Sequence, residues 1–293
     1  MAELTAYILT SISTVMMGAQ QQQLGVMAAA GVCAVVGVWY CGCSSAPDAE
    51  KASRKKRRAK RRMDRSACAA AVARLRDAAR ESALRESVSP RFRADSRAAT
   101  LEPCRALADL LISKPGSRAS MCVEAGGVEA VLQTLEAHPD ASEVQLQGLR
   151  ALTGLAHGEG SAKAFVDGDG VELLIAGLAA HAGDAGVQRW GCQLVVRLAA
   201  SGAAARALVE GGAVEAAEGA LRAHAQPGGD CVVARHACHA LCRLDAAGGS
   251  RARHEAQAAG ALGVARAALA AHAQHETLPQ LQHWVRELEK TLG

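Results

Sequence analysis

The stretch that decides the fold is Ala125–Ala156, AGGVEAVLQTLEAHPDASEVQLQGLRALTGLA. Two glycines stand near its start. Apolar side chains follow at Val128, Val131, Leu132 and Leu135, and again after a Pro-containing interruption at Leu146, Leu149, Leu152 and Leu155. Spacings of three and four residues put each set on one face of a helix. The pattern predicts a short helix over Arg118–Glu124, a Gly-rich turn, a helix over Val128–Ala137, a loop, and a longer helix over Val144–Ala156.

The same unit recurs downstream. The residue after each small-residue turn is Val128, Val171, Val214 or Leu262, at intervals of 43, 43 and 48. A histidine marker, His138, His181, His224 and His272, keeps the same intervals, so two independent features share one period. The five extra residues are expected after His224, where Pro227-Gly-Gly-Asp reads as an enlarged loop. The last leucine of the longer helix becomes Leu198, Leu244 and Leu292. Units of this kind cannot bury their apolar faces alone and must stack.

A short helix, a Gly-rich turn and two longer helices at about 43 residues resemble the armadillo repeat, and less closely the HEAT repeat. The resemblance covers roughly residues 100–293 and implies an all-α, right-handed armadillo-type α-solenoid. Four repeats over 117–293 follow a partial first repeat at 67–116. The family binds extended peptides along a concave face built by the third helices. Importin-alpha relatives place a Trp and, four residues later, an Asn there. The matching Trp positions are Arg105, Arg150, Gln193, His239 and Glu287, and the matching Asn positions are Asp109, Gly154, Arg197, Arg243 and Thr291. None carries the family residue, which argues against nuclear-signal binding by that mechanism. Arg105, Arg150, Gln193, Arg197, His239 and Arg243 form instead a candidate groove for an acidic extended segment, as in beta-catenin-like proteins, or a plain solvated surface.

Composition agrees with helices. Half the residues are apolar but only 2% are aromatic, so the core must be built from Ala, Leu and Val. Asn is absent, which excludes an N-glycosylation acceptor. The ten cysteines are scattered, several within helical patterns, and read as reduced buried thiols. The net charge of +4 is local: residues 1–66 hold ten Lys/Arg against four Asp/Glu, leaving the remainder mildly acidic.

Within residues 1–66, an uncharged segment (1–23) precedes Leu24–Cys41, 18 residues without a strongly polar side chain. As a helix this run would span about 27 Å, close to the roughly 30 Å of a bilayer core. A transmembrane anchor is expected at 24–43, with Trp39 and Tyr40 at the interface and Cys41 and Cys43 as lipidation candidates or ordinary interfacial thiols. A basic juxtamembrane linker at 44–66 includes Lys55, Lys56, Arg57, Arg58, Arg61 and Arg62. It suits contact with anionic lipid if the preceding run spans, or a nuclear import signal if it does not. An organelle-targeting segment or a solvated linker fits the composition too. The charge asymmetry predicts a single-pass protein with its repeats on the cytoplasmic, matrix or stromal side.

Residues that carry chemistry are sparse. Cys231, His236, Cys238, His239 and Cys242 are the densest ligand-type group, but Cys238 corresponds to Cys192 and Leu149, which are core positions, so no metal site is expected. No phosphate-binding loop and no catalytic constellation stands out, and no cofactor or small-molecule substrate is expected. Nucleic-acid binding would need basic residues interleaved with aromatics on the domain, and with two Phe and two Tyr in all these are missing. The expectation is a non-enzymatic, membrane-anchored scaffold or adaptor that binds a protein partner, either free or as an accessory subunit of a membrane complex. The alternative is a soluble nucleocytoplasmic factor using the basic run as an import signal.

Overall fold

The computed structural model describes residues 50–85, 93–113 and 116–293. The uncharged segment 1–23, the apolar run 24–43 with Cys41 and Cys43, and residues 44–49 lie outside them. Among the described residues, no helix is long and apolar enough to cross a membrane. The chain divides into two compact units, Met1–Met63 and Asp64–Gly293.

Of the first unit, residues 50–63 are helical with every side chain exposed. The basic run is thus a helix from residue 50 onward, not an irregular linker. Its sequence has neither Gly nor Pro and is rich in Ala, Lys and Arg, all good helix formers. Arg54 also pairs with Glu50 one turn away at 2.7 Å.

The second unit is all helix, without strands among its described residues. Residues 50–85 are helical, and α1 denotes their 64–85 part. Then come α2 (Arg93–Ser113), α3 (Ser117–Glu124), α4 (Gly127–Ala137), α5 (Ser142–Leu155), α6 (Glu159–Asp167), α7 (Gly170–Ala180), α8 (Ala185–Leu198), α9 (Gly202–Glu210), α10 (Ala213–His224), α11 (Cys231–Ala258), α12 (Ala261–Ala271) and α13 (Leu278–Leu292). The three helices read from Ala125–Ala156 and its preceding turn are α3, α4 and α5, with starts and ends within two residues of the pattern. Gly249 breaks α11 with φ 66° and ψ −148°. The element is therefore the third helix of one repeat abutting the first helix of the next.

Each first helix turns into the second through one residue in the left-handed region: Gly126 (φ 78°), Asp169 (φ 56°), Gly212 (φ 94°) and Gly260 (φ 71°). Three copies use the residue that pays no Cβ penalty there, and the fourth uses Asp, which tolerates it better than most.

Equivalent helices of successive repeats touch. Second helices form the row α4–α7–α10–α12, and third helices form the row α2–α5–α8–α11–α13. One contiguous core runs through the contacts, with Leu107, Leu149, Leu174, Leu194, Leu221, Leu241 and Leu288 buried in it. Close approach inside a repeat depends on missing side chains. A Cβ at Gly148 would lie 2.3 Å from Leu135, and one at Gly191 would lie 2.5 Å from Leu178.

The five extra residues are not all in one loop. His138 and His181 are followed after three residues by the N-caps Ala141 and Asp184, whereas His224 is followed after six by Asp230. The other two fall between Leu244 and the break at Gly249, where α11 runs past the point at which α5 and α8 end.

Three of the four recurrent histidines act between repeats, whereas His224 accepts from the Asp230 amide of its own loop at 3.3 Å. His138 Nε2 lies 3.1 Å from Ser82 Oγ, His181 Nε2 2.7 Å from the Pro139 carbonyl, and His272 Nε2 2.8 Å from the His224 carbonyl. Capping of the second helix falls to a glutamine on the third. Gln145 donates to the Leu135 and His138 carbonyls at 2.9 and 3.0 Å, and Gln188 donates to Leu178 and His181 at 2.7 and 3.0 Å. Both amides are buried, so their removal leaves two carbonyls without a partner. Replacing Gln188 by Leu should lower the unfolding free energy by about 1–3 kcal/mol, seen as a fall in the urea midpoint with unchanged slope and unchanged far-UV circular dichroism. An unchanged midpoint would show that water caps those carbonyls equally well.

Candidate partner-binding surface

All six groove residues named from the sequence lie on third helices: Arg105 on α2, Arg150 on α5, Gln193 and Arg197 on α8, His239 and Arg243 on α11. All six are half-buried. Because α2, α5, α8 and α11 pack in order, the six share one row.

The row is not uniform. At its N-terminal end the arginines are already neutralised. Arg105 bonds Glu102 at 3.2 Å and Glu143 at 3.1 Å, and Arg150 bonds Asp109 at 3.0 Å. Gln147 continues the network, donating to Glu143 at 3.0 Å and accepting from Arg150 at 2.5 Å. These contacts tie α2 to α5.

Toward the C-terminal end the arginines pair with neutral groups, and the acidic residue at the row position of α13, Glu287, pairs with Lys290 at 2.7 Å. Arg197 bonds His157 Nε2 at 3.0 Å, and Arg235 bonds Gln280 and, at 2.8 Å, His236 Nε2. Arg189, Arg197, Arg235 and Arg243 make no ion pair among the described residues, and Arg235 Nε is buried without a partner.

Two tryptophans sit in this half and escaped the motif comparison. Trp190 on α8 and Trp284 on α13 both stand eight residues before the last leucine of their helix, Leu198 and Leu292, which is the signal that would have found them. Arg150 and Arg189 lie over the Trp190 ring at 5.7 and 5.5 Å from its centroid. His239 stacks on Trp284 at 3.7 Å with a 10° interplanar angle, and His283 meets the same ring edge-on at 4.7 Å.

Burial, reinforced by the neighbouring arginines, lowers the pKa of the histidines. Burial first, and then Arg235, His239 and Arg189, push His236 down to about 4, with Asp230 opposing. Burial, Arg243, Arg235 and His283 push His239 down to about 4. Burial and Arg197 lower His157 as well. At neutral pH these imidazoles are uncharged, and the positive charge of the surface is that of its guanidiniums.

The Cys/His group separates into core and surface. Cys231, Cys238 and Cys242 are buried, while His236 and His239 are half-buried on the row. Burial pushes Cys242 and the neighbouring Cys192 up to about 12, and raises Cys238 above the usual thiol range. These sulfurs are protonated at neutral pH and fill apolar space, as the correspondence with Leu149 implied. Among the described residues no group of three or more His, Cys, Asp or Glu is arranged to hold a metal ion.

No family model matches the chain, and no curated protein matches it. A solved structure described as an engineered protein of the Northeast Structural Genomics Consortium is 21% identical, with 66% of this chain and 92% of that chain covered at a TM-score of 0.45. That likeness is too weak to bear on the repeat family or on function.

A folded-state pKa below the unfolded value means that the native state binds fewer protons, so the associated stability is present above about pH 6.5 and lost as pH falls toward 4. Histidine titration by NMR should therefore place His236 and His239 near 4, and part of the fall in thermal midpoint between pH 6.5 and 4 should vanish in the His236→Gln/His239→Gln variant. Midpoints near the ordinary histidine value would show that these rings are more solvated than described.

Proposed function

We propose that this chain is a membrane-anchored armadillo-type scaffold that captures a protein partner along its third-helix row, either as a free adaptor or as an accessory subunit of a membrane complex. One observation carries the reading. The described third helices present an unbroken sequence of half-buried polar, cationic and aromatic side chains, while the chemistry-bearing cysteines sit in the core. A surface rich in Arg and Trp is the kind that anchors partners. The period of about 43 residues, the three-helix unit and the left-handed turn after each first helix support the armadillo assignment over the HEAT one.

Membrane attachment rests on the sequence of 24–43 together with the exposed basic helix that follows. Each cation held near an anionic surface contributes about 1 kcal/mol. The same exposed helix suits recognition as an import signal, which keeps the soluble nucleocytoplasmic reading in play.

Alkaline carbonate extraction separates the two readings. Full-length protein should remain with the membranes, and a truncation starting at Asp64 should be soluble and folded. The cut is placed there because Asp64 bonds Arg118 at 3.1 Å and Arg65 bonds Glu124 at 2.8 Å. Release of the full-length chain by carbonate would contradict the anchor. Protease added from the cytosolic, matrix or stromal side should digest the repeats, and complete protection would reverse the orientation.

A further inference from the structure

We propose that Ser53 is a phosphorylation site for a protein kinase with an acidic substrate cleft, and that its phosphate releases the basic helix at 50–63 from anionic lipid. The proposal rests on the membrane-surface part of the scaffold reading and adds its regulation.

The first argument is the site. Ser53 is the one hydroxyl-bearing residue in the helical stretch 50–63, and it is exposed. Lys51 stands two residues before it, and Arg54, Lys55, Lys56 and Arg57 follow directly. Kinases select substrates partly by charge pattern, so a cleft lined with carboxylates fits a serine with these flanks. Every side chain of residues 50–63 is exposed, so the segment opens at little cost to enter such a cleft. The donor is ATP. Ser53 Oγ forms a bond to the γ-phosphorus, the bond from that phosphorus to the β–γ bridging oxygen breaks, and ADP leaves. The hydroxyl proton passes to the catalytic aspartate of the kinase.

The second argument is the consequence. Residues 50–63 hold nine Lys and Arg against one acid, Glu50, so their net charge is 9 − 1 = +8. Their apolar residues are Ala52, Ala59 and Met63, too few and too small to make a face that inserts into a bilayer. Charge alone therefore holds this helix to a lipid surface, and a change of charge decides whether it stays. A phosphate carries about −1.5 to −2 at neutral pH. On a helix, Lys56 and Arg57 stand three and four residues after Ser53, within reach of the phosphate. The modification thus takes two cations out of lipid contact without breaking the helix. Glu50, three residues before Ser53, is turned to Arg54 at 2.7 Å. Cancelling two charges corresponds to about a ten- to thirty-fold loss of lipid affinity.

The test uses the full-length chain in nanodiscs of neutral lipid. It is treated with MgATP and a purified kinase catalytic domain selective for serines flanked by Lys and Arg, and peptide mass mapping locates the phosphate. Binding is then read by co-sedimentation with phosphatidylserine-containing vesicles, against vesicles of phosphatidylcholine alone. Ser53 should take the phosphate, and the modified chain should bind the anionic vesicles at least about ten-fold more weakly. Ser53→Ala, treated identically, should keep full binding, and Ser53→Glu, with a smaller charge, should lose part of it. Both changes fall on an exposed position and should leave far-UV circular dichroism unaltered. Chain isolated from its own cells with phosphatases inhibited should carry the phosphate on Ser53. Absence of phosphate there, in either preparation, overturns the proposal. So does a phosphorylated chain whose binding stays within about two-fold of the unmodified one. These outcomes spare the lipid contact itself. If the unmodified chain binds both kinds of vesicle equally, the lipid contact falls and the proposal falls with it.

Discussion

Everything in the second unit depends on the burial that one repeat gives the next. A three-helix unit built from Ala, Leu and Val has too little side-chain volume to enclose its own apolar face, so that face must be closed by a neighbour. The third-helix row is the main site of this closure: Leu149, Leu194, Leu198, Leu241 and Leu288 are buried along it. Small residues make the packing close. Gly148 and Gly191 admit Leu135 and Leu178 to distances that any side chain would block. Because the rows must align to bury the leucines, the residues one and nine places before each last leucine align as well. The surface is thus a by-product of the core.

The ends and joints of the array show how this constraint is met where the sequence departs from the period. At the N-terminal side α1 lies along α3, the turn and α4 in succession, through Arg118 to Asp64, Arg76 to the Ala125 carbonyl, and Ser82 to His138. One long helix covers what a first and a second helix cover elsewhere. In the third repeat the position of Gln145 and Gln188 is taken by Ala234, so the second helix has no glutamine cap. There the loop is enlarged, and the Asp230 amide donates to His224 Nδ1 at 3.3 Å while the Asp230 side chain caps α11.

The fold was legible in the sequence because its signals are local and repeated. Leucine spacing gives the helices, Gly126, Gly212 and Gly260 give the turns, and two markers at one interval give the stacking. What was not legible depends on pairs far apart in sequence. The placement of the groove arginines on one row followed from alignment, but the neutralisation of Arg150 by Asp109 required knowing which helix packs on which. The recurrent histidines were legible only as a period marker; the packing of repeats reveals the Pro139 and His224 carbonyls as the acceptors of His181 and His272. The two tryptophans escaped notice because the family comparison asks for Trp three residues later, at Gln193 and Glu287.

The central claim is that the third helices form one continuous row carrying Asp109, Gly154, Arg197 and Arg243 at equivalent places. Spin labels introduced by amber suppression at positions 109 and 243 test it most directly, since α2 and α11 are separated by two intervening helices of the row. Three steps of about 8–10 Å each predict a narrow distance distribution centred near 25–30 Å between the labelled backbone sites, before label length is added. A broad distribution, or a centre beyond about 45 Å, would contradict a stacked row.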